Sequence, residues 1–270
     1  MKPADQLQEA QTAEAFSKQS PFFDELDAQN PILVWMRTCV RNQMLELLHP
    51  GDSILELNAG TGLDSFYFAE KGFQVLATDL APGMIETMKR KKAQMASPGM
   101  MQVQACSFNS LENISGSFDH IFSNFGGLNC AEDIRSVISQ FSRLLNKGGK
   151  VTLVMMPPFC PWELLLALKG NFKTAFRRFQ KHGALSHIEG VHFLTYYYSP
   201  SYIRKAFGPE YHQLSCRGLG ITVPPPYLET FPSRYPRLFR GLIRIEEKIC
   251  HTPPFRSMGD HFILSMQKKT

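Results

Sequence analysis

The sequence predicts an α/β fold built on a mostly parallel sheet, and three observations predict it. Residues 53–79 read as strand, glycine turn, helix, strand. Further apolar runs at 101–106, 118–123 and 150–156 follow, with helical patterns at 84–92 and 131–145 among them. Two late apolar runs, at 211–216 and 259–266, supply strands that complete the sheet.

Taken in order, residues up to about 19 are polar and are expected to fray. From Pro31 an apolar stripe of Leu33, Met36, Val40, Met44 and Leu47 predicts a helix, ended by Pro50 and Gly51. The first strand, at 54–57, carries Glu56 and runs into Gly60, Thr61 and Gly62. Leu63, Phe66, Phe68 and Ala69 then continue as a helix until Gly72 stops it. The second strand begins at Phe73 and finishes at Asp79. A helix from Met84 to about Lys92 ends in a basic run that complements the helix dipole. The third strand is followed by Ser107 and Phe108, the fourth by Asn124 to Asn129, and the fifth enters through Asn146 to Gly149.

Beyond Pro157 two insertions are expected. The first, 157–199, opens with two short helices broken near Gly170 and Asn171. Trp162, Leu165 and Leu166 share one face, and Phe172, Phe176 and Phe179 share another, with Lys173, Arg177, Arg178 and Lys181 off it. Residues 191–198 read as a strand, and Ser199 and Pro200 start a helix that runs through Phe207. The second insertion, 224–254, carries an aromatic helix. The chain thus divides into an N-terminal helical cap (1–49), a core (50–156), an inserted lid (157–199) and a C-terminal completion (200–270).

Strand, glycine turn, helix and a second strand tipped with an acid build a nucleotide site, because glycines admit the ligand to the backbone and the acid accepts ribose hydroxyls. Charge selects the nucleotide. The third glycine of a dinucleotide turn is replaced by Ser65, and Glu56 stands where it would repel a pyrophosphate. A ligand with an ammonium group and no phosphate suits that carboxylate. At Glu56, Gly60, Gly62 and Asp79 the chain resembles a class I S-adenosylmethionine-dependent methyltransferase, with Asn58 in place of the first glycine of the motif. The resemblance covers about 50–156 and includes the entry to the fifth strand. It implies a Rossmann-like seven-stranded methyltransferase sheet with an antiparallel last strand, and S-adenosylmethionine as cofactor.

The resemblance also implies site roles. Leu80 and Met84 fall where the family holds ribose and adenine, with Met84 as plain core the alternative. Ser107 stands where many relatives have an aspartate for the adenine amino group, so its hydroxyl or the Phe108 backbone would take that role. Asn124 begins the fourth-strand tip that touches the methionine end and the substrate. Phe23 and Arg37 are candidates for the pocket wall; Arg37 meets the methionine carboxylate bidentately or is a solvated surface arginine.

Composition narrows the rest. At 270 residues and 43% hydrophobic the chain can bury one large core. A net charge of +5 admits an acidic partner or a membrane surface but falls short of an obligate nucleic-acid binder. The six cysteines are scattered without a C-x-x-C pair, which indicates neither disulfides nor a zinc site and fits a cytoplasmic protein. No apolar signal core opens the chain. Base candidates are His187, His192, Tyr196, Tyr197 and His261, without a reason to name one as catalytic. The aromatic caps point to a small hydrophobic, aromatic or lipid-like acceptor. The stretch 162–181 has the basic and apolar faces of an interfacial helix, against the plainer reading that it packs on the sheet or the second insertion. An NAD(P)-dependent oxidoreductase and a non-catalytic binding scaffold are the competing functions.

Overall fold

The computed structural model describes residues 3–270; Met1 and Lys2, part of the polar start read above, lie outside them. Three helices come first: α1 (Pro3–Gln19), α2 (Phe23–Gln29) and α3 (Pro31–Leu47). The core follows as β1 (Ser53–Leu57), α4 (Leu63–Glu70), β2 (Gln74–Asp79), α5 (Pro82–Lys92), β3 (Met101–Ala105), β4 (Phe118–Ser123), α6 (Ile134–Ser139), α7 (Phe141–Leu144) and β5 (Leu145–Met155). Then come α8 (Pro161–Leu165), α9 (Phe172–Phe176), β6 (Ala184–Ile188), β7 (Val191–Thr195) and α10 (Pro200–Phe207). The chain closes with β8 (Tyr211–Leu219), α11 (Phe231–Arg234), α12 (Pro236–Ile249) and β9 (His261–Lys268).

One seven-stranded sheet has the order β3-β2-β1-β4-β5-β9-β8. Strands β1 to β5 pair in parallel, and β9 runs antiparallel to both its neighbours. Side chains alternate across it, so β1 feeds two cores. Leu55 and Leu57 pack with α6, α7 and α10, while Ile54 packs with α3, α4 and α5. Glu56 shares the parity of Ile54, so it points, buried, toward α3 and α4. The order reverses between β1 and β4, which opens a crevice at their C-terminal tips. The start of α3 is fixed locally: the Asn30 side-chain oxygen Oδ1 accepts from the Ile32 and Leu33 N–H groups, and Pro31 sits at the first helical position.

Three elements differ from the sequence reading. Residues 3–19 are an ordered helix, because Gln8 bonds both backbone groups of Leu194 on β7, at 2.7 and 3.0 Å, and Ser17 accepts from the Gly83 N–H. The 131–145 helix begins only after the Asp133 cap and is divided at Gln140, whose side chain turns to the Leu111 N–H. The strand read at 191–198 is one arm of a separate two-stranded sheet, β6 and β7, closed by Glu189 and Gly190 at φ +46° and +79°.

Candidate functional site

The crevice holds a cavity of about 350 Å³, floored by the tips of β1, β2 and β4 and roofed by α1, α2 and α3. Its floor is the turn after β1. Asn58 takes a left-handed conformation at φ +47°, one of the few side chains that tolerates it. Its amide reaches across to the tip of β4, accepting from Ser123 Oγ at 2.7 Å and donating to the Asn124 carbonyl. Gly127 makes this possible, since a Cβ there would lie 2.1 Å from the Asn58 amide. At Gly60 (φ +60°) a Cβ would stand 3.8 Å from the Phe23 ring, inside the cavity. Asp79 closes the turn by accepting from the Gly60 and Ala81 N–H groups, each at 2.8 Å. Burial pushes the Asp79 carboxyl up to about 6, although those two bonds oppose it.

A charged cluster forms the wall on the α3 side. Arg37 is buried; its Nε and Nη2 grip Asp27, its Nη1 bonds Asp64, and its guanidinium lies 4.6 Å over the Phe125 ring. A solvated Arg37 is therefore excluded, and so is bidentate capture of a ligand carboxylate through the Nε and Nη2 edge, which Asp27 occupies. Asp64 also accepts from Arg41 at 2.7 Å and from the Asn124 amide at 2.7 Å. Burial alone would raise the Asp64 carboxyl, but Arg37, Arg41 and Asn124 hold it below its ordinary value. Glu56, bonded by Ser65, is pushed up to about 8, first by burial and then by Asp64. The cavity lining thus presents Glu9, Asp27, Glu56, Asp64 and Asp79, with Arg37 as the one arginine or lysine among the described lining residues.

Leu80, Met84 and Phe108 line the other end beneath Ala13 and Phe16 of α1. Two sequence candidates do not line it. Gly62 (φ +83°) starts α4, where a Cβ would press on the Phe66 ring at 2.8 Å and on Met88 at 3.0 Å. Ser107 donates instead to Glu9 of α1, which also accepts from the Asn109 amide at 2.7 Å. The remaining candidates, Arg37, Glu56, Asn58, Gly60, Asp79, Leu80, Met84, Phe108 and Asn124, come together around the cavity.

Beyond Asn124 the cavity is walled by Phe125, Met156 and His261. His261 packs edge-on against Phe125, and its buried Nδ1 lies 3.1 Å from Asp260 Oδ2, poorly aligned for a hydrogen bond. Of the base candidates, only His261 lines this cavity. His187 and His192 lie beside each other at the exposed side of the hairpin, their rings tilted by 47°, and Tyr197 lies under Arg178. Cys160, Glu163 and Asp260 gather ligand atoms within 4.8 Å of one another, but Arg178 bridges the two carboxylates at 2.7 and 2.8 Å. A guanidinium is the cation this cluster holds.

Comparison with known proteins agrees with this architecture. Residues 54–149 match the family model described as a methyltransferase domain. A demethylmenaquinone methyltransferase of Beutenbergia cavernae is 30% identical over 118 residues, which cover 43% of this chain and 46% of that protein. A malonyl-[acyl-carrier protein] O-methyltransferase of Serratia marcescens is 42% identical over 45 residues, 17% of this chain and 18% of that one. The chain thus spans about half the length, or less, of the curated relatives it matches. Among solved structures, the CcbJ methyltransferase of Streptomyces caelestis superposes with a TM-score of 0.62 at 14% identity, covering 95% of this chain and 98% of that one. An S-adenosylmethionine-dependent methyltransferase of Methanosarcina mazei gives 0.59 at 16% identity, over 84% of this chain and 96% of that one.

Proposed function

We propose that the chain is a class I S-adenosylmethionine-dependent methyltransferase that transfers a methyl group from S-adenosylmethionine to a small hydrophobic or aromatic acceptor. The observation that carries this reading is the carboxylate wall beside Gly60. Asp27, Asp64 and Asp79 outnumber the one arginine in the lining, and Glu56 adds a carboxylate when a ligand ammonium ionises it, a field that disfavours a pyrophosphate and favours an ammonium and a sulfonium. Asp79 has lone pairs left for ribose hydroxyls after its two backbone bonds, and Glu56 suits the ammonium. Leu80, Met84 and Phe108 offer apolar surface to adenine.

S-adenosylmethionine supplies the electrophilic methyl carbon when bound. The chain's own work is to hold the acceptor in line and to exclude water under α1 and α2. Where the acceptor must lose a proton, His261 is the base at that end of the cavity. The names of the relatives point to a quinone-type or carrier-bound acceptor, and Leu33, Phe125 and Met156 in the wall favour a compact apolar one.

Calorimetry with S-adenosylmethionine, S-adenosylhomocysteine and NAD(P) tests the reading. The first two should bind and the third should not. Asp79→Ala should weaken donor binding by about 1.5–3 kcal/mol for each ribose bond lost. Gly60→Val should abolish binding in a folded protein, because its side chain fills the cavity under Phe23. NAD(P) binding, or normal donor affinity in Asp79→Ala, would overturn it. Tight binding of both sulfur ligands without turnover on quinol and acyl-carrier acceptors would mark a scaffold instead.

A further inference from the structure

Each of the two insertions buries a glutamate. Glu163 of α8 and Glu246 of α12 are 1% and 0% exposed, held from within. Glu163 accepts from Arg177 and Arg178, and Glu246 accepts from four successive backbone N–H groups, Gly220 to Val223. Large apolar side chains stand in water beside them. Leu168 is 85% exposed and Phe172 61%, and Leu165, Phe176 and Phe179 stand out beside them. On α12 and the residue before it, Tyr235, Leu238 and Ile245 are exposed in the same way. Helix α12 also turns Phe239, Leu242 and Ile243 to the core, so these exposed residues are apolar surface beyond the face its packing uses.

The charge beside these apolar residues is mostly positive, with the exposed Glu189, Glu229 and Glu247 at the edges of the two segments. Residues 164–188 expose Lys169, Lys173 and Lys181, with Arg177 half-buried and Arg178 buried, and contain not one acid. Residues 230–245 contain Arg234, Arg237, Arg240 and Arg244, all exposed, and again no acid. The two segments touch: the Trp162 ring lies 6.1 Å from Phe231, and its Nε1 donates to the Thr222 carbonyl at 3.2 Å. Arg178 ties the first segment to Asp260, the neighbour of the cavity-lining His261.

We propose that this joined face docks on an anionic lipid bilayer, with the apolar side chains entering the acyl boundary and the lysines and arginines meeting the headgroups. Apolar side chains rimmed by cations are what an interfacial surface needs. A second copy of the chain would set the same cations against themselves, which disfavours a symmetric pairing through this face.

Co-sedimentation with phosphatidylcholine vesicles, with and without phosphatidylglycerol, tests the proposal on the full chain. The protein should pellet with the phosphatidylglycerol vesicles, and added salt should release it. The variants Phe172→Ser/Phe176→Ser and Arg237→Glu/Arg240→Glu should each lower partitioning roughly tenfold while keeping the native circular dichroism. Should the serine variant not fold, the charge reversal at exposed positions decides alone. Equal sedimentation with both vesicle types, or unchanged partitioning after charge reversal, overturns the proposal. So does a dimer at sedimentation equilibrium that the serine variant dissolves, or RNA that displaces the vesicles through the same arginines.

Discussion

The buried acids at the tips of the sheet look onto a cavity, whereas the buried acids of the insertions look onto the protein's own arginines and backbone. Asp27, Asp64 and Arg37 are arranged around Phe125 and Glu56, so that part of the cluster's field falls on open space. Glu163, Asp260 and Arg178 close on one another, and Cys160 beside them is pushed up to about 12 by burial. Both clusters spend hydrogen bonds to keep charge out of water. The first shapes a ligand site; the second fastens a segment that leaves large apolar side chains in water.

The sharpest way to break that comparison is to remove the arginine from each cluster. Arg178→Met leaves Glu163 and Asp260 buried with less than their charge, and should cost about 3–5 kcal/mol of stability in urea unfolding. Donor affinity measured on the folded fraction should stay as it was, because Arg178 does not line the cavity. Arg37→Met should cost a similar stability and also change donor affinity, since Asp27 would then face the cavity without a cation and Asp64 with Arg41 alone. Equal donor affinity in both variants would erase the distinction between a site and a clasp.

The sheet was legible because its signals are local. Strand parity placed Glu56, a strand end placed Asp79, and apolar runs marked β4 and β5. The partners of Arg37 were not, because Asp27 and Asp64 lie on other helices, and nothing in their own neighbourhoods marks them. Helix α1 was hidden for a related reason: its ordering comes from Gln8 on β7 and Ser17 on α5, contacts that a polar sequence does not announce. The hairpin turn at Glu189 and Gly190 carries the left-handed pair of a tight turn without the asparagine or aspartate that usually signals it. Asn58 and Gly127 form one device, yet 69 positions separate them. The cue available was an asparagine in a motif glycine position, with a glycine pair after β4 to receive it.

A gentler probe uses pH. Burial raises the Glu56 carboxyl from 4.5 to about 8, so the folded state binds a proton that the unfolded chain releases. The stability this confers is full below pH 4.5 and is lost as pH rises toward 8. Asp79, raised from 3.8 to about 6, adds to the slope in the lower part of that range. Melting temperature should therefore fall between neutral pH and pH 8, and Glu56→Gln should flatten the fall. A ligand ammonium set against Glu56 needs it ionised, so S-adenosylhomocysteine binding at pH 7 should release a proton. Calorimetry in buffers of different ionisation heat reads that directly; equal heats in all buffers would remove Glu56 from the ammonium's surroundings.

The smallest effect expected is the most telling for the insertions. Phe122 is fully buried in the core, where truncation to alanine should cost about 3–5 kcal/mol. Phe172 is the same residue type at 61% exposure, held by a helix that Asn171 caps at the Thr174 N–H rather than by packing on the body. Phe172→Ser should therefore shift stability by less than about 0.5 kcal/mol, the range of an ordinary surface change. A hydrophobic residue kept on the surface at no benefit to folding has its reason outside the folded chain. If chemical unfolding shows Phe172→Ser losing several kcal/mol, the ring is core in solution. The outward face of the first insertion would then be no interface, and Arg178 would fasten a segment whose apolar side already had a place to go.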